Sequence, residues 1–587
     1  TIYDPRSARQ VGNQVVRDPF PGNKGIPVLN PVYDYYAKLY PAPNNVPGLV
    51  TPEQTFNYLA FGMPKDEIFD SMINRFDYRL SDKHSFNFRW QWNDRLANEY
   101  DWTYETAKGL HSNGLTRINR GGNFGWLYTL SANNILDFNI GLQRFEEGSR
   151  NTTRTKIGPK DVGLPDYLEQ RAGAYRQIPA MGFNSISSVG GGYPIVGSIG
   201  STGEVRPQMT TVKGNHTFKY GWQERRNWWA GLGPGASAGA FSFGNPYTRA
   251  SNVDNLASSH GHDWAAFMMG LPNGIAIDTN DSTYLTTPRR GIYFQDDWRV
   301  SRKLRLGLGL RYEREGGITE RFNRSLAAVF LPDAKLPFTD QAKAAYAANP
   351  IAQLPAAQFN PVGGTTYLGQ NGYSTATKGT HIFLPKVSVV YSFNDKTVLR
   401  AGFGSYMDTL NVTNTRPDTF GYNQSTNTPI TNDNGLTFCC GTNATAGLQK
   451  GSTPMNNPFP VRADGTRFDE PLQNALGLIP RVGRGFTALP YDFRPALQKR
   501  WRIGVQRELA RNTLLDVSYN GSYAQSQVNQ RMDYLPEQYW TKGNVRDQNN
   551  DNLLNGNVAN PFNINNLRSI QASDPKLYNY MAGQGFF

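Results

Sequence analysis

The stretch Asp70-Ser71-Met72-Ile73-Asn74-Arg75-Phe76-Asp77-Tyr78-Arg79-Leu80, then Ser81-Asp82-Lys83-His84, then Ser85-Phe86-Asn87-Phe88-Arg89-Trp90-Gln91-Trp92, carries the pattern on which the whole chain is built. Successive side chains of an extended strand point to opposite faces. Met72, Phe76, Tyr78 and Leu80 therefore share one face, and Arg75, Asp77 and Arg79 share the other. After the polar turn, Phe86, Phe88, Trp90 and Trp92 alternate with Ser85, Asn87, Arg89 and Gln91. Four large aromatic rings along one face would be an aggregation hazard in water. Against lipid they are expected.

The same hairpin recurs along the chain. Trp126, Tyr128 and Leu130 lead through Ser131-Ala132-Asn133-Asn134 into Leu136, Phe138, Ile140 and Leu142. Lys213-Gly214-Asn215 feeds Phe218, Tyr220 and Trp222. Ile292, Phe294, Trp298 and Val300 turn at Ser301-Arg302-Lys303 into Leu304, Leu306, Leu308, Leu310 and Tyr312, with Arg305, Gly307, Gly309 and Arg311 opposite. Val387, Val389, Tyr391 and Phe393 turn at Asn394-Asp395-Lys396 into Leu399, Ala401 and Phe403. Trp501, Ile503 and Val505 turn near Arg511-Asn512 into Leu515, Val517 and Tyr519.

Several runs reach the ~9–11 residues that cross a bilayer when tilted. Short polar turns alternate with long Gly/Pro/Asn-rich segments near 151–203, 322–380 and 408–498. That asymmetry, short periplasmic turns and long extracellular loops, belongs to a bacterial transmembrane barrel. A β-sandwich or propeller predicts more uniform connections and no exposed aromatic runs, and no internal repeat of fixed period appears. The expected fold is all-β, a large antiparallel barrel contributing about fourteen to sixteen strands from this chain. An open edge in lipid leaves backbone groups unpaired, so any remaining strands are expected outside it.

Composition agrees. Aromatics make up 13% of the 587 residues while mean hydropathy is only -0.56, because a barrel strand needs an apolar residue at every second position. No run approaches the ~20 apolar residues of a spanning helix. The net charge of +13 is scattered over strands and turns, unlike a nucleic-acid patch; a basic lumen and loops facing anionic glycolipid account for it. The N-terminus has neither the basic start nor the apolar core of a signal peptide.

No catalytic constellation is assembled, and no enzyme activity, cofactor or metal is expected. Cys439 and Cys440 are adjacent, which excludes a disulfide scaffold or a spaced zinc site. His260-x-His262 lacks a third ligand and reads as a solvated loop. Asp547, Asn549 and Asp551 have calcium-loop spacing without the required glycine and final glutamate, so a polar loop is the better reading. The glycine-rich stretches 231–239 and 189–192 lack a phosphate-loop Lys-Ser/Thr and read as flexible loops. Trp264 to Gly270 is expected to form a helical turn that packs at a strand junction.

The candidate site is instead the barrel wall. Arg75, Arg79, Arg89, Gln91, Arg305, Arg311, Arg400, Arg502 and Gln506 are expected to face the lumen, pairing with acids such as Asp77 and Asp297. The lipid face and its aromatic girdle are assigned to Phe76, Tyr78, Phe86, Phe88, Trp90, Trp92, Trp126, Tyr128, Phe138, Phe218, Tyr220, Trp222, Phe294, Trp298, Tyr312, Tyr391, Phe393, Phe403, Trp501 and Tyr519.

These motifs resemble a known family. Asn74 to Tyr78 with Leu80 to Ser85, the stretch Gly291 to Val300 running into Leu304 to Glu313, and Asp395 to Gly404 are similar to segments of Oar-like TonB-dependent outer-membrane receptors. So are Gln506 to Leu509 with Asp516 to Ser522, and Arg17 to Asn23 with Ile26-Pro27 and Tyr40 to Asn44. The order is co-linear and spans almost the whole chain. The resemblance implies a barrel of about 22 strands, bulky-substrate uptake energised by TonB, and a plug with an N-terminal carboxypeptidase-regulatory-like β-sandwich. Neither of those domains is recognisable here, and Ala582 to Phe587 does not read as a closing strand, so an interior segment of a longer protein is expected. The expected partners are outer-membrane lipid and lipopolysaccharide, the TonB complex, and proteins at the loops or wall. A structural or adhesive barrel is the alternative function, and a passive porin the second.

Overall fold

The computed structural model describes residues 1–44, 58, 66–98, 115–149, 156–191, 197–231, 233–254, 260–409, 417–438, 442–443, 447–482, 491–492, 494–525, 537–540 and 543–583. Cys439 and Cys440 lie outside them.

Twelve long strands follow one another in an antiparallel meander. They are β1 (Asp66–Arg79), β2 (His84–Asn98), β3 (Leu115–Ser131), β4 (Asn134–Ser149), β5 (Ser198–Lys213) and β6 (His216–Gly231). Then come β7 (Thr283–Arg299), β8 (Leu304–Glu315), β9 (Thr380–Asn394), β10 (Thr397–Met407), β11 (Leu497–Ala510) and β12 (Thr513–Gln525). Each hydrogen-bonds to its neighbours in sequence, and Thr319–Glu320 adds a short pairing beside β7. Among the described residues β1 and β12 have a strand on one side only. The alternating runs predicted fourteen to sixteen strands; the other described strands, of at most ten residues, lie outside this meander, apart from Thr319–Glu320.

Every second connection is a tight turn, after Arg79, Ser131, Lys213, Arg299, Asn394 and Ala510. All six turns therefore fall at one end of the sheet. They are local in origin: Gly214 at φ 58° and Asn512 at φ 68° supply the left-handed backbone that these tight reversals use. The ends after Ser131, Asn394 and Ala510 each carry a register shift beside the turn. At the opposite end lie the long connections.

The described residues of those connections are not the flexible loops expected from their glycine content. Together with residues 1–40 and the helices Arg568–Ser573 and Pro575–Gly583 they fold into a cap with its own hydrophobic cores. Strands Ala180–Phe183, Ala240–Phe243, Gly274–Asn280 and Asn423–Asn427 form a separate four-stranded sheet, in which the first two run parallel. Phe241, Phe243, Phe267, Met269, Ile275 and Tyr36 are each at most 2% exposed in the core beside it. A second core gathers Phe338, Tyr346, Tyr367 and Leu476 with Ile570 and Met581. The glycines at 190, 191, 235 and 239 sit at positive φ within this packed layer, so they shape it rather than loosen it. Trp264 to Gly270 enters the core through the short helix Asp263–Met268.

Candidate functional site: a two-faced wall and its polar groove

Paired residues of adjacent strands share a face, so the register sorts the whole sheet into two sides. Arg75 stands across from Arg89, and Arg89 across from Asn123. The row continues through Gly141, Glu204 and Arg225 to Arg289 and Glu315. On the later strands Val390 faces both Arg305 and Arg400, and Gly402 faces Arg502. By this alternation all nine polar candidates fall on one face. The twenty aromatic candidates fall on the other, linked by pairs such as Phe76 with Phe88, Phe86 with Trp126, Trp126 with Phe138, and Tyr220 with Phe294.

The aromatic face has an upper limit. Along β7 it reads Trp298, Asp296, Phe294, Ile292 and then Arg290. Beyond Trp222 comes Glu224, which meets Arg290 at 3.3 Å, and beyond Leu142 comes Arg144, paired with Glu146 at 2.6 Å. From Trp298 to Arg290 is eight residues, roughly 20 Å of height for a strand rising ~3.3 Å per residue and tilted by about 40°. That matches the apolar band of an outer-membrane barrel, and the strands continue above it towards the cap. At the turn end the band closes on rings: His84 stacks on Tyr128 at 4.4 Å, and His216 lies 5.2 Å from Trp298.

On the polar face most of the arginines find partners. Arg75 meets Asp77 at 2.8 Å, Arg79 meets Asp82 at 2.6 Å, and Arg305 lies 3.7 Å from Asp297. Arg89 donates to Gln91 at 3.5 Å, while Gln506 donates to Asp516 at 2.7 Å, with Arg502 3.7 Å from the same carboxylate. Arg400 makes no ion pair among the described residues. The densest part of the face lies nearer the cap. There Arg289 and Arg311 both hold Glu313, Arg311 also donates to Gln223, and Arg225 holds Glu204. Glu204, Arg225, Arg289 and Glu313 were not singled out from the sequence. Continuing the alternation Arg305, Gly307, Gly309, Arg311 by one more step reaches Glu313.

Between β7 and β12 this face is hollowed into a groove of about 610 Å³. Gly307, Gly309, Gly402 and Gly404 floor it, and Lys386, Arg500 and Arg502 stand around it. A methyl group added at Gly309 or Gly402 would meet nothing closer than 3.6 Å. Packing within the sheet does not demand glycine there; these glycines keep the groove open. A smaller polar hollow of about 290 Å³ lies over Gly121 and Gly141, beside Arg89, Gln91, Asn123 and Glu204. At the cap end the same face is covered, because Trp229 and Leu285 pack against Ile318, Leu368 and Ala376 of the cap.

The remaining sequence candidates take structural places. His260 pairs with Asp254 at 2.7 Å, and Nδ1 of His262 lies 3.1 Å from the carboxylate of Asp263, which also accepts the backbone N–H of Trp264 at 2.8 Å. Asp547 caps the helix Gln548–Asn555, accepting the N–H groups of Asn549 and Asn550. No cluster of three metal-ligating side chains occurs among the described residues.

A long-stranded meander with one aromatic face of membrane height and one hydrophilic face is the wall of an outer-membrane β-barrel. The chain belongs to the outer membrane beta barrel domain family, whose model matches residues 1–584. Its place is the bacterial outer membrane. No curated protein matches it. Among solved structures it is similar to the outer membrane transporter YddB from Escherichia coli, at 9% identity, TM-score 0.39, and 77% of this chain on 40% of that one. It is also similar to the ferric-catecholate import receptor Fiu from E. coli K12, at 10% identity and TM-score 0.36, covering 80% of this chain and 53% of that one. The FrpB iron transporter from Neisseria meningitidis stands at 10% identity and TM-score 0.36, covering 81% and 47%. This chain thus spans about half the length of these transporters or less.

Proposed function

We propose that this chain forms part of the wall and outer cap of a TonB-energised uptake receptor of the Oar-like type. In this reading the aromatic face meets lipid, the polar face lines the lumen, the tight turns face the periplasm and the cap faces outward. The observation that carries it is the open groove on the polar face, kept clear by Gly309 and Gly402 and overlooked by Lys386, Arg500 and Arg502. Such a surface seats a polar occupant, either a plug carried elsewhere in the receptor or the cargo itself. The motif resemblance supports the energised mode: a plug inside the barrel moves when TonB pulls, and a bulky solute passes.

The test is growth on, or uptake of, candidate solutes by cells with and without TonB. Uptake that vanishes without TonB supports the reading. Conductance of the full-length protein in a planar bilayer with no energy source would make it a passive porin. A second reading, a surface-binding barrel, draws on the cap, whose packed cores give the cell exterior a folded surface rather than loose loops. Deletion of the gene that impairs attachment between cells while leaving uptake intact would favour that role.

A further inference from the structure

One carboxylate interrupts the aromatic band. Asp296 stands on the apolar face of β7, across from Phe218 on β6 and Leu308 on β8, with Phe294 and Trp298 as its same-face neighbours. Its Oδ2 lies 2.7 Å from Nδ1 of His216, and its Oδ1 is buried with no hydrogen-bond partner. An ionised carboxylate can only accept, so Nδ1 of His216 donates its N–H to Asp296, and in the neutral imidazole Nε2 presents a lone pair. The imidazole stacks nearly parallel to Phe218 (8°, 5.4 Å) and to Trp298 (14°, 5.2 Å). Across the tight turn from His216 stands Lys213, exposed and without an ion pair among the described residues. An acidic dyad framed by aromatic rings thus adjoins a lysine at the turn-side rim of the band.

We propose that this corner binds the headgroup of a phospholipid that bears a primary ammonium, a phosphoethanolamine. The ammonium donates an N–H to Nε2 of His216, beside the negative charge of Asp296 and the rings of Phe218 and Trp298. The phosphate meets Lys213. Lys213 and His216 are paired across the turn, so the cation and the acidic dyad adjoin, as a zwitterionic headgroup requires. His84 supplies the contrast. It opens β2 as His216 opens β6 and stacks on Tyr128, but its Nδ1 accepts the indole N–H of Trp126 at 3.2 Å, and it pairs with no acid among the described residues. Its Nε2 therefore carries the proton and offers no lone pair to an ammonium.

The proposal rests on the reading that the aromatic face meets lipid, and the experiment separates the two. The full-length protein is placed in nanodiscs of mixed phosphatidylethanolamine, phosphatidylcholine and phosphatidylglycerol, and the lipids it retains are counted by native mass spectrometry. Phosphatidylethanolamine should be retained about tenfold over phosphatidylcholine, whose trimethylammonium has no N–H to donate. Asp296→Asn and Lys213→Gln should each erase most of that preference, and His84→Gln should leave it. Equal retention of the three lipids overturns the proposal, as does a preference unmoved by Asp296→Asn and Lys213→Gln, or one lost equally in His84→Gln. Lys213 lies exposed at a turn, so its variant reports even where Asp296→Asn fails to fold. Quenching of Trp298 by brominated lipid reports the face itself: quenching without a lipid preference sinks the headgroup site alone, and absence of quenching sinks both.

Discussion

Arg289 and Glu313 meet at 2.5 Å across β7 and β8, with side chains only 17% and 6% exposed. The same carboxylate holds Arg311 at 2.5 Å. One glutamate therefore compensates two guanidinium groups on the polar face. Glu313→Gln leaves both arginines in place with no carboxylate between them, and removing one partner of a buried ion pair costs about 3 kcal/mol. The expected result is an earlier unfolding transition in detergent. Glu204→Gln, which removes a more exposed pair with Arg225 (41% and 23%), should cost less than about 1 kcal/mol. Equal losses in the two variants would refute the difference in burial.

Phe294 and Gln295 are neighbours in sequence and stand on opposite faces of β7. If the aromatic face meets lipid, Phe294→Arg puts a charge near the middle of the band and costs about 2–4 kcal/mol. Gln295→Arg, on the groove side, should fold and insert normally. Assembly in the outer membrane, scored by heat-modifiable migration on gels, distinguishes them. Normal assembly of both variants would reverse the assignment of faces.

These two residues also show why so much of the wall could be read from sequence. A strand's facing follows from parity alone, so Phe294 and Gln295 need no partner to be placed, and a turn such as Lys213-Gly214-Asn215-His216 is decided by four adjacent residues. The cap obeys no such local rule. Arg17 donates to the carbonyl of Asn434, Tyr167 to Asn457, and Val16 bridges Ser251. Contacts between segments hundreds of residues apart leave no period to detect, and their glycines look the same whether the segment is loose or packed. Asp296 was legible in principle. It is the missing apolar residue in the series Ile292, Phe294, Trp298, a break in parity.

Gly309 and Gly402 give the groove its depth, and a Cβ at either would meet nothing closer than 3.6 Å. Leucine at either position starts from a Cβ that meets no clash and extends into the groove, so Gly309→Leu and Gly402→Leu should leave the unfolding transition within about 1 kcal/mol. In the proposed receptor they fill space on the lumen side, so uptake should fall several-fold while the protein's amount in the membrane stays constant. Unchanged uptake in the double variant would show that neither plug nor cargo uses this groove.

Asp263 tests the cap. Its side chain is 2% exposed, and it accepts the amides of Asn184 and Ser185 at 2.9 and 2.7 Å and the Ser185 hydroxyl at 2.5 Å. Burial opposes its ionisation, but the imidazole of His262 and the hydroxyl and amide of Ser185 outweigh burial and hold the carboxyl well below the usual carboxylate range. A depressed folded-state value means the charged form stabilises the fold. That contribution is complete above the unfolded value of ~3.9 and declines as the pH falls below it towards the folded value. Trp264, next in the chain and packed on Phe267 at 4.9 Å, reports the event. Its fluorescence and the protease resistance of the cap should hold from pH 7 to about 5 and fall between about pH 4 and 2, before the wall loses its sheet signal. Asp263→Asn should weaken the cap at neutral pH and flatten the acid transition. An acid transition of the same size in that variant would assign it to other carboxylates.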